Sequence, residues 1–159
     1  MSLFDMDERL LDLADKIDLV YSPIIDAKEF PENVDITLIE GAVANTDNER
    51  ILRQIRERTR VLVSLGDCAV TGNVPSMRNF FTKDSVLQRA YTENVEENKS
   101  LPNKDLPRLL PRVLPLHSIV KVDLFVPGCP PSADVIHFTL TELLKGRTPA
   151  LASLTRFGK

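Results

Sequence analysis

Short apolar runs alternate along this chain with stretches in which apolar residues recur every three or four positions. This helical spacing predicts four helices: residues 2–17, residues 45–58, a short segment that carries Phe80 and Phe81, and a last helix that Pro130–Pro131–Ser132 opens and Gly146 ends. Thr46 and Glu49 fit a capping box at the start of the second helix.

The apolar runs predict strands at residues 18–21, 34–39, 60–66 and 120–126. The third run is almost entirely apolar, which is typical of a strand buried on both faces of a parallel sheet. Strands that alternate with helices indicate an α/β fold with a doubly wound parallel sheet. In such a fold, right-handed crossovers bring every strand-to-helix turn to the carboxyl edge of the sheet, where ligands bind.

Four of the six glycines fall in those predicted turns: Gly41, Gly66, Gly72 and Gly128. A segment at residues 82–116 interrupts the alternation, since it combines a polar tract with four prolines. It is interpreted as a solvated, proline-rich insertion within one domain that spans residues 1–159, or alternatively as an arm whose leucines dock on a partner.

Composition narrows the function classes. The 159 residues carry a net charge of −3, so nothing indicates a surface for nucleic acid. No apolar run approaches the ~18 residues that a membrane span requires. The N-terminus is acidic and amphipathic, unlike a signal peptide, which predicts a cytoplasmic protein without structural disulfides.

The two cysteines, Cys68 and Cys129, occupy similar turns. Each follows an apolar run and lies beside glycine, in "SLGDCAVTGN" and "LFVPGCPPSAD". Three interpretations remain open: inert thiols, a nucleophile assisted by His117 or His137, and a shared metal site. Rigid flanking prolines and glycines favour an iron–sulfur site over core filling. A [4Fe–4S] cluster needs four ligands, however, and the chain has two cysteines.

Three motifs in order, "LIEGAVANTDNE", "SLGDCAVTGNVPSMRN" and "VDLFVPGCPPSAD", resemble the small subunit of cytoplasmic, NAD-reducing (bidirectional) nickel–iron hydrogenases. That group is related to the 20-kDa cluster-bearing subunit of NADH:quinone oxidoreductase. The resemblance implies a flavodoxin-like fold and one [4Fe–4S] cluster, proximal to the nickel–iron centre of a separate large subunit. It also implies electron transfer towards NAD(P)-linked diaphorase subunits, with no catalytic residue in this chain.

Carried over by position, Cys68 and Cys129 match two of the four cluster ligands. Glu40 and Gly41 match a Glu–Gly pair beside the cluster and the large subunit, although Glu40 also fits a helix cap or a surface carboxylate. The turn glycines Gly66 and Gly128 are further candidate cofactor-binding positions. Asp67 and Asn73 are expected to form hydrogen bonds within their loop rather than to bind metal.

The departure from the family pattern is at the start. Family members have a first strand and then a C-x-G-C-H turn with the other two cysteines, whereas the start of this sequence resembles the residues immediately after that turn. The fold is therefore expected to lack its first, central strand, between the strands at 18–21 and 34–39. A mis-set gene start or a truncated sequence would explain this, and so would a genuine short homologue.

Two other functions stay open at this point. One is a 20-kDa-type subunit of an NADH:quinone oxidoreductase, whose missing first motif typically has adjacent cysteines. The other is a flavodoxin-like module that binds a flavin such as FMN through its glycine turns. Neither cysteine turn matches a known phosphate-binding loop.

Overall fold

The computed structural model describes residues 4–102 and 104–157. Its five helices are α1 (Glu8–Ala14), α2 (Thr46–Arg58), α3 (Asp67–Thr71), α4 (Lys83–Gln88) and α5 (Ala133–Leu144). Its five strands are β1 (Val34–Glu40), β2 (Val43–Asn45), β3 (Thr59–Leu65), β4 (Leu109–Leu114) and β5 (Leu124–Val126). Short 3₁₀ segments cover Phe4–Met6, Val74–Phe80 and Leu116–Ser118, and one π turn covers Arg89–Glu93. In the part of the chain thus described, no helix has the length and apolar character needed to cross a membrane.

Three strands form the parallel sheet that the sequence predicts, in the order β1–β3–β5. A separate antiparallel ribbon joins β2 to β4. In the sheet, Glu40 is in register with Leu65, and Leu65 with Val126, so all three strands end at one edge. The α/β class and the parallel sheet are therefore confirmed.

The central strand, β3, is covered on both faces. Leu62 packs in one apolar cluster with Leu52 and Ile55 of α2. Val63, the next residue, packs in the opposite cluster with Ile136 and Leu140 of α5. Successive side chains of a strand point to opposite faces, so helices on both sides of the sheet account for the nearly unbroken apolar run.

The predicted strand at residues 18–21 is wrong, because those residues are irregular. Leu19 and Val20 are 55% and 42% exposed. Within the described residues β1 pairs with β3 alone, so one edge of β1 has no hydrogen-bonded neighbour. A strand requires a hydrogen-bonded neighbour, and within the described residues no strand pairs with residues 18–21.

Two helix boundaries also differ from the prediction. The first helix is shorter than residues 2–17: a 3₁₀ turn precedes α1, which ends at Ala14, and residues 2 and 3 lie outside the described residues. The predicted capping box of α2 is wrong, since Asn45 is the N-cap and its Oδ1 accepts hydrogen bonds from the N–H groups of Asp47 and Asn48. Asparagine caps as well as serine or threonine does, and here it stands one residue earlier.

The proline-rich segment at 82–116 contains the helix α4, the π turn that follows it, and the strand β4. Pairing of β4 with β2 draws the second half of the segment onto the fold, where Val113 and Leu116 are buried. Leu106 remains 59% exposed. Because the side chains at 113 and 116 are buried, the segment exposes less apolar surface than its pattern of leucines and prolines predicts.

Asp123 connects the start of β5 to its neighbours. Its carboxylate accepts hydrogen bonds from the Leu62 N–H of β3 and from the Arg56 guanidinium of α2. Burial raises the pKa of this carboxyl, but the Leu62 hydrogen bond and the nearby Arg56 charge lower it more, so that the net pKa lies below its ordinary value. The ionised form therefore stabilises the folded state.

Asp123→Asn is expected to reduce the free energy of unfolding by about 1–2 kcal/mol at pH 7. A depressed folded-state pKa gives stability that is complete above the unfolded-state pKa of about 3.9 and is lost as the pH falls through the folded-state value. Urea unfolding followed by circular dichroism should thus show a deficit at pH 7 that shrinks on acidification. Asp35→Asn, at an exposed ion pair with Arg60, is the control and should change little. An equal deficit at all pH values would contradict the assignment.

Candidate functional site

The two cysteine loops lie side by side at the carboxyl edge of the sheet. The Gly66 N–H donates to the Val126 carbonyl at 2.8 Å, and the Asp67 N–H donates to the Gly128 carbonyl at 2.8 Å. These bonds continue the pairing of β3 with β5 beyond the ends of both strands. The expected placement of Cys68 and Cys129 at one edge of a parallel sheet is confirmed.

Asp67 fastens the two loops together. It is 3% exposed, and its Oδ1 accepts a hydrogen bond from the Gly128 N–H at 2.7 Å. The Thr71 hydroxyl donates to the Asp67 carbonyl and closes the first loop. Asp67 was expected to form hydrogen bonds within its own loop, and its carboxylate instead reaches the other loop.

The two glycines at this junction have backbone conformations that side chains disfavour. Gly66 has a φ of +83° and Gly128 a φ of +146°. A Cβ at Gly128 would lie 2.5 Å from the Cα and 2.6 Å from the N of Pro131. A Cβ at Gly66 would lie 3.6 Å from the Gly128 carbonyl oxygen. The second cysteine loop can therefore close on itself because residue 128 has no side chain.

Both thiols are free and reachable from solvent: Cys68 is half-buried and Cys129 is exposed. Buried, inert cysteines are the usual alternative, and this exposure disfavours it. The Cys129 Sγ accepts a hydrogen bond from Asn73 Nδ2 at 3.6 Å, whereas His117 packs edge-on against the Phe125 ring. His137, the other candidate base, lies within α5. Among the described residues no hydrogen bond joins either histidine to a cysteine, so the geometry gives no support to a cysteine activated by histidine.

Asn73 was expected to bond within its own loop, and its side chain instead reaches across to Cys129. Its backbone does bond locally, to Thr71 and Ser76. The contact joins residues 56 positions apart, so no local sequence signal could have given it.

Glu40 ends β1 and Gly41 follows it at the same edge, because Glu40 is in register with Leu65 just before the first cysteine loop. Glu40 is exposed. Gly41 has a φ of +81°, with no atom within 4 Å of where a Cβ would lie. The four glycine and glutamate positions named from the sequence, Glu40, Gly41, Gly66 and Gly128, therefore all lie along one edge with the cysteines.

The donor set at this edge is half that of an iron–sulfur cubane. Thiolates are the ligands that iron–sulfur clusters prefer, and two reachable thiols on adjacent rigid loops fit two of four positions. Across residues 4–102 and 104–157, no group of three or more His, Cys, Asp or Glu side chains is arranged to hold a metal ion. A complete cluster thus needs two further ligands.

In the segment directly after Asn73, polar side chains point into the protein and apolar side chains point to solvent. In the 3₁₀ segment, Arg78 and Asn79 point inward, where they hydrogen-bond to backbone groups of β2 and β4. The apolar side chains point outward, with exposed fractions of 62% for Val74, 62% for Met77, 86% for Phe80 and 65% for Phe81. We call these four residues the apolar rim. Sequence reasoning placed Phe80 and Phe81 on a short helix without foreseeing that they face solvent.

The family described as NADH ubiquinone oxidoreductase, 20 Kd subunit, matches residues 1–143, and the chain belongs to it. Within that class, the chain resembles hydrogenase small subunits. It is 41% identical over 152 residues to the "NAD-reducing hydrogenase HoxS subunit delta" of Cupriavidus necator, a match that covers 92% of this chain and 73% of that relative. The sequence-based resemblance is thereby confirmed.

Two further similarities agree with the resemblance to hydrogenase subunits. A subunit of the F420-non-reducing hydrogenase of Methanocaldococcus jannaschii is 36% identical over 153 residues, which cover 95% of this chain and 53% of that relative. This chain thus spans about half the length of such curated relatives. A chain in the crystal structure of an NAD⁺-reducing [NiFe]-hydrogenase in the H₂-reduced state superposes with a TM-score of 0.93 at 41% identity, covering 99% of this chain and 90% of that one.

Proposed function

We propose that this chain is the electron-transfer small subunit of a heteromeric nickel–iron hydrogenase. In this role it relays electrons between a large-subunit nickel–iron site and NAD(P)-linked diaphorase subunits through a proximal [4Fe–4S] cluster. The observation that carries the proposal is the pair of free, reachable thiols on two loops joined by backbone hydrogen bonds at one sheet edge. The chain performs no bond chemistry of its own.

Cys68 and Cys129 would hold two corners of the cluster, which when bound takes up and releases one electron at a time. The protein's part is to fix those two sulfurs. Asp67 and the two inter-loop backbone bonds set their separation, and Gly128 allows the second loop its closed shape. Glu40 and Gly41, on the neighbouring strand end, are proposed to border the cluster and the large subunit.

The exposed apolar side chains near the same sheet edge are the basis for the proposed partners. The apolar rim is adjacent to the cysteine loops and exposes two phenylalanine rings, which is typical of a surface covered by another protein. An electron-transfer partner has to approach the cluster closely, and the apolar rim is the surface on which we propose that it docks. The hydrogenase large subunit is the proposed occupant of the apolar rim. The diaphorase subunits are proposed as further partners, and the cytoplasm is the predicted location.

The family description also names an NADH:ubiquinone oxidoreductase subunit, so that function is the direct rival. The 41% identity to an NAD-reducing hydrogenase subunit favours the hydrogenase. FMN in a flavodoxin-like site is supported by the fold alone. No contact at the glycine turns of the described residues adds to it.

Affinity purification of the chain from its own cells, with its bound partners, separates these functions. The hydrogenase proposal predicts a nickel-containing partner and hydrogen-dependent reduction of NAD⁺ or NADP⁺. A nickel-free complex that oxidises NADH and reduces a quinone would contradict it. A flavin spectrum that belongs to this chain, without iron, would favour the flavodoxin-like module.

A further inference from the structure

We infer that Asn73 sets the reduction potential of the proposed cluster by donating a hydrogen bond to the Cys129 sulfur. The inference rests on the proposed function and adds a residue to it that is not itself a ligand. Asn73 Nδ2 lies 3.6 Å from Cys129 Sγ, and the contact crosses from the first cysteine loop to the second.

The loop holds Asn73 in one conformation. Its N–H donates to the Thr71 hydroxyl at 3.3 Å, and its carbonyl accepts from the Ser76 N–H at 3.0 Å and from the Ser76 hydroxyl at 2.6 Å. These local bonds fix the backbone from which the carboxamide extends. From this anchored backbone the carboxamide reaches Cys129 Sγ.

The backbone at Asn73 is also unusual. Its φ is +27° and its ψ −128°, in a region that residues other than glycine rarely adopt. Strained conformations of this kind persist where the surrounding structure imposes them, and they concentrate at functional sites. Glycine would relieve the strain but would have no carboxamide, so the strained asparagine is explained by the contact that its side chain makes.

An N–H donor on a ligand sulfur stabilises negative charge at the cluster. The reduced form has one more negative charge than the oxidised form, so the donor favours reduction and raises the potential. Its removal should shift the reduction equilibrium towards the oxidised form by up to about tenfold, which is about 59 mV for one electron. A carboxylate in its place should shift the equilibrium further in the same direction.

The test uses two substitutions in the purified complex. Asn73→Gly removes the carboxamide and suits the positive φ, and Asn73→Asp keeps the shape but replaces the donor with a negative charge. The matched control is Asn98→Gly, at an exposed asparagine that also has a positive φ, 55°. The measured quantity is the midpoint potential from a redox titration followed by electron paramagnetic resonance.

We expect the midpoint potential to fall in Asn73→Gly, to fall further in Asn73→Asp, and to stay at the wild-type value in Asn98→Gly. If Asn73→Gly loses its iron, the midpoint potential of Asn73→Asp alone tests the inference. Unchanged midpoint potentials in Asn73 variants that retain the cluster would overturn the inference and leave the proposed function intact. Loss of iron from both Asn73 variants would also overturn it, because Asn73 would then be needed for the loop to assemble rather than for the potential. A wild-type complex with no iron and sulfide in this chain would instead refute the proposed function itself.

Discussion

Gly128→Ala is expected to destabilise the protein by at least about 3 kcal/mol and to disorganise the second cysteine loop. The added methyl group would lie 2.5 Å and 2.6 Å from backbone atoms of Pro131, in a loop with prolines at 127, 130 and 131. Backbone atoms of a proline-stiffened loop cannot give way as the end of a flexible side chain can. The hydrogen bond from the Gly128 N–H to the buried Asp67 carboxylate would be displaced with it.

Gly146→Ala is the control that separates the clash from the cost of a positive φ. Gly146 has a φ of +71°, with no atom within 4 Å of where a Cβ would lie. That substitution should therefore cost about 1 kcal/mol from backbone strain alone. The measurement is the free energy of unfolding from urea titration. Equal losses in the two variants would show that close packing at Gly128 is unimportant.

The second large effect is expected from the cysteines. Cys68→Ala and Cys129→Ala should each reduce the iron and acid-labile sulfide bound by this subunit to background, because a cluster left with fewer thiolates is not retained. Both side chains are reachable from solvent, so the fold itself should lose no more than about 0.5 kcal/mol. Cluster loss with an intact circular dichroism spectrum and intact partner binding is thus the predicted outcome.

Full iron content in either alanine variant would remove that cysteine from the ligand set. Unfolding of either variant would assign the thiol a packing role instead. The hydrogen-driven reduction of NAD⁺ should fall in proportion to iron content, since electrons leave the nickel–iron site through this cluster in the proposed function.

The convergence of the two cysteine loops was predictable because it depends on topology. Parallel strands end at one edge, and apolar runs before Gly66 and Gly128 identified both strands. β3 was predictable for a related reason, since burial on both faces requires an unbroken apolar run. These features follow from residue patterns that are local to each element.

The strand prediction for residues 18–21 was wrong because a strand depends on a hydrogen-bonded neighbour, which the local sequence pattern does not reveal. Leu19 and Val20 have strand-like composition but pair with no strand of the described residues, and they are irregular and exposed. Sequence periodicity reports which side chains prefer burial. It does not report whether a hydrogen-bonding partner is present.

The side-chain contacts of the site could not be predicted from the sequence, because they join residues far apart in the chain. Asp67 reaches Gly128 across 61 positions, and Asn73 reaches Cys129 across 56. Both were expected to bond locally, as asparagine and aspartate usually do in turns. The inverted polarity at Val74–Phe80 likewise depends on β2 and β4, which supply the carbonyl groups that draw Arg78 and Asn79 inward.

The central claim is that this chain's two thiols supply two of the ligands of a cluster through which electrons pass. The most direct measurement compares the electron paramagnetic resonance spectra of the hydrogen-reduced complex with and without the double substitution Cys68→Ala/Cys129→Ala. The account predicts a reduced [4Fe–4S] signal in the wild-type complex that is absent from the double variant, while the large subunit remains bound and retains its nickel. A spectrum that is identical in the two complexes would contradict the account.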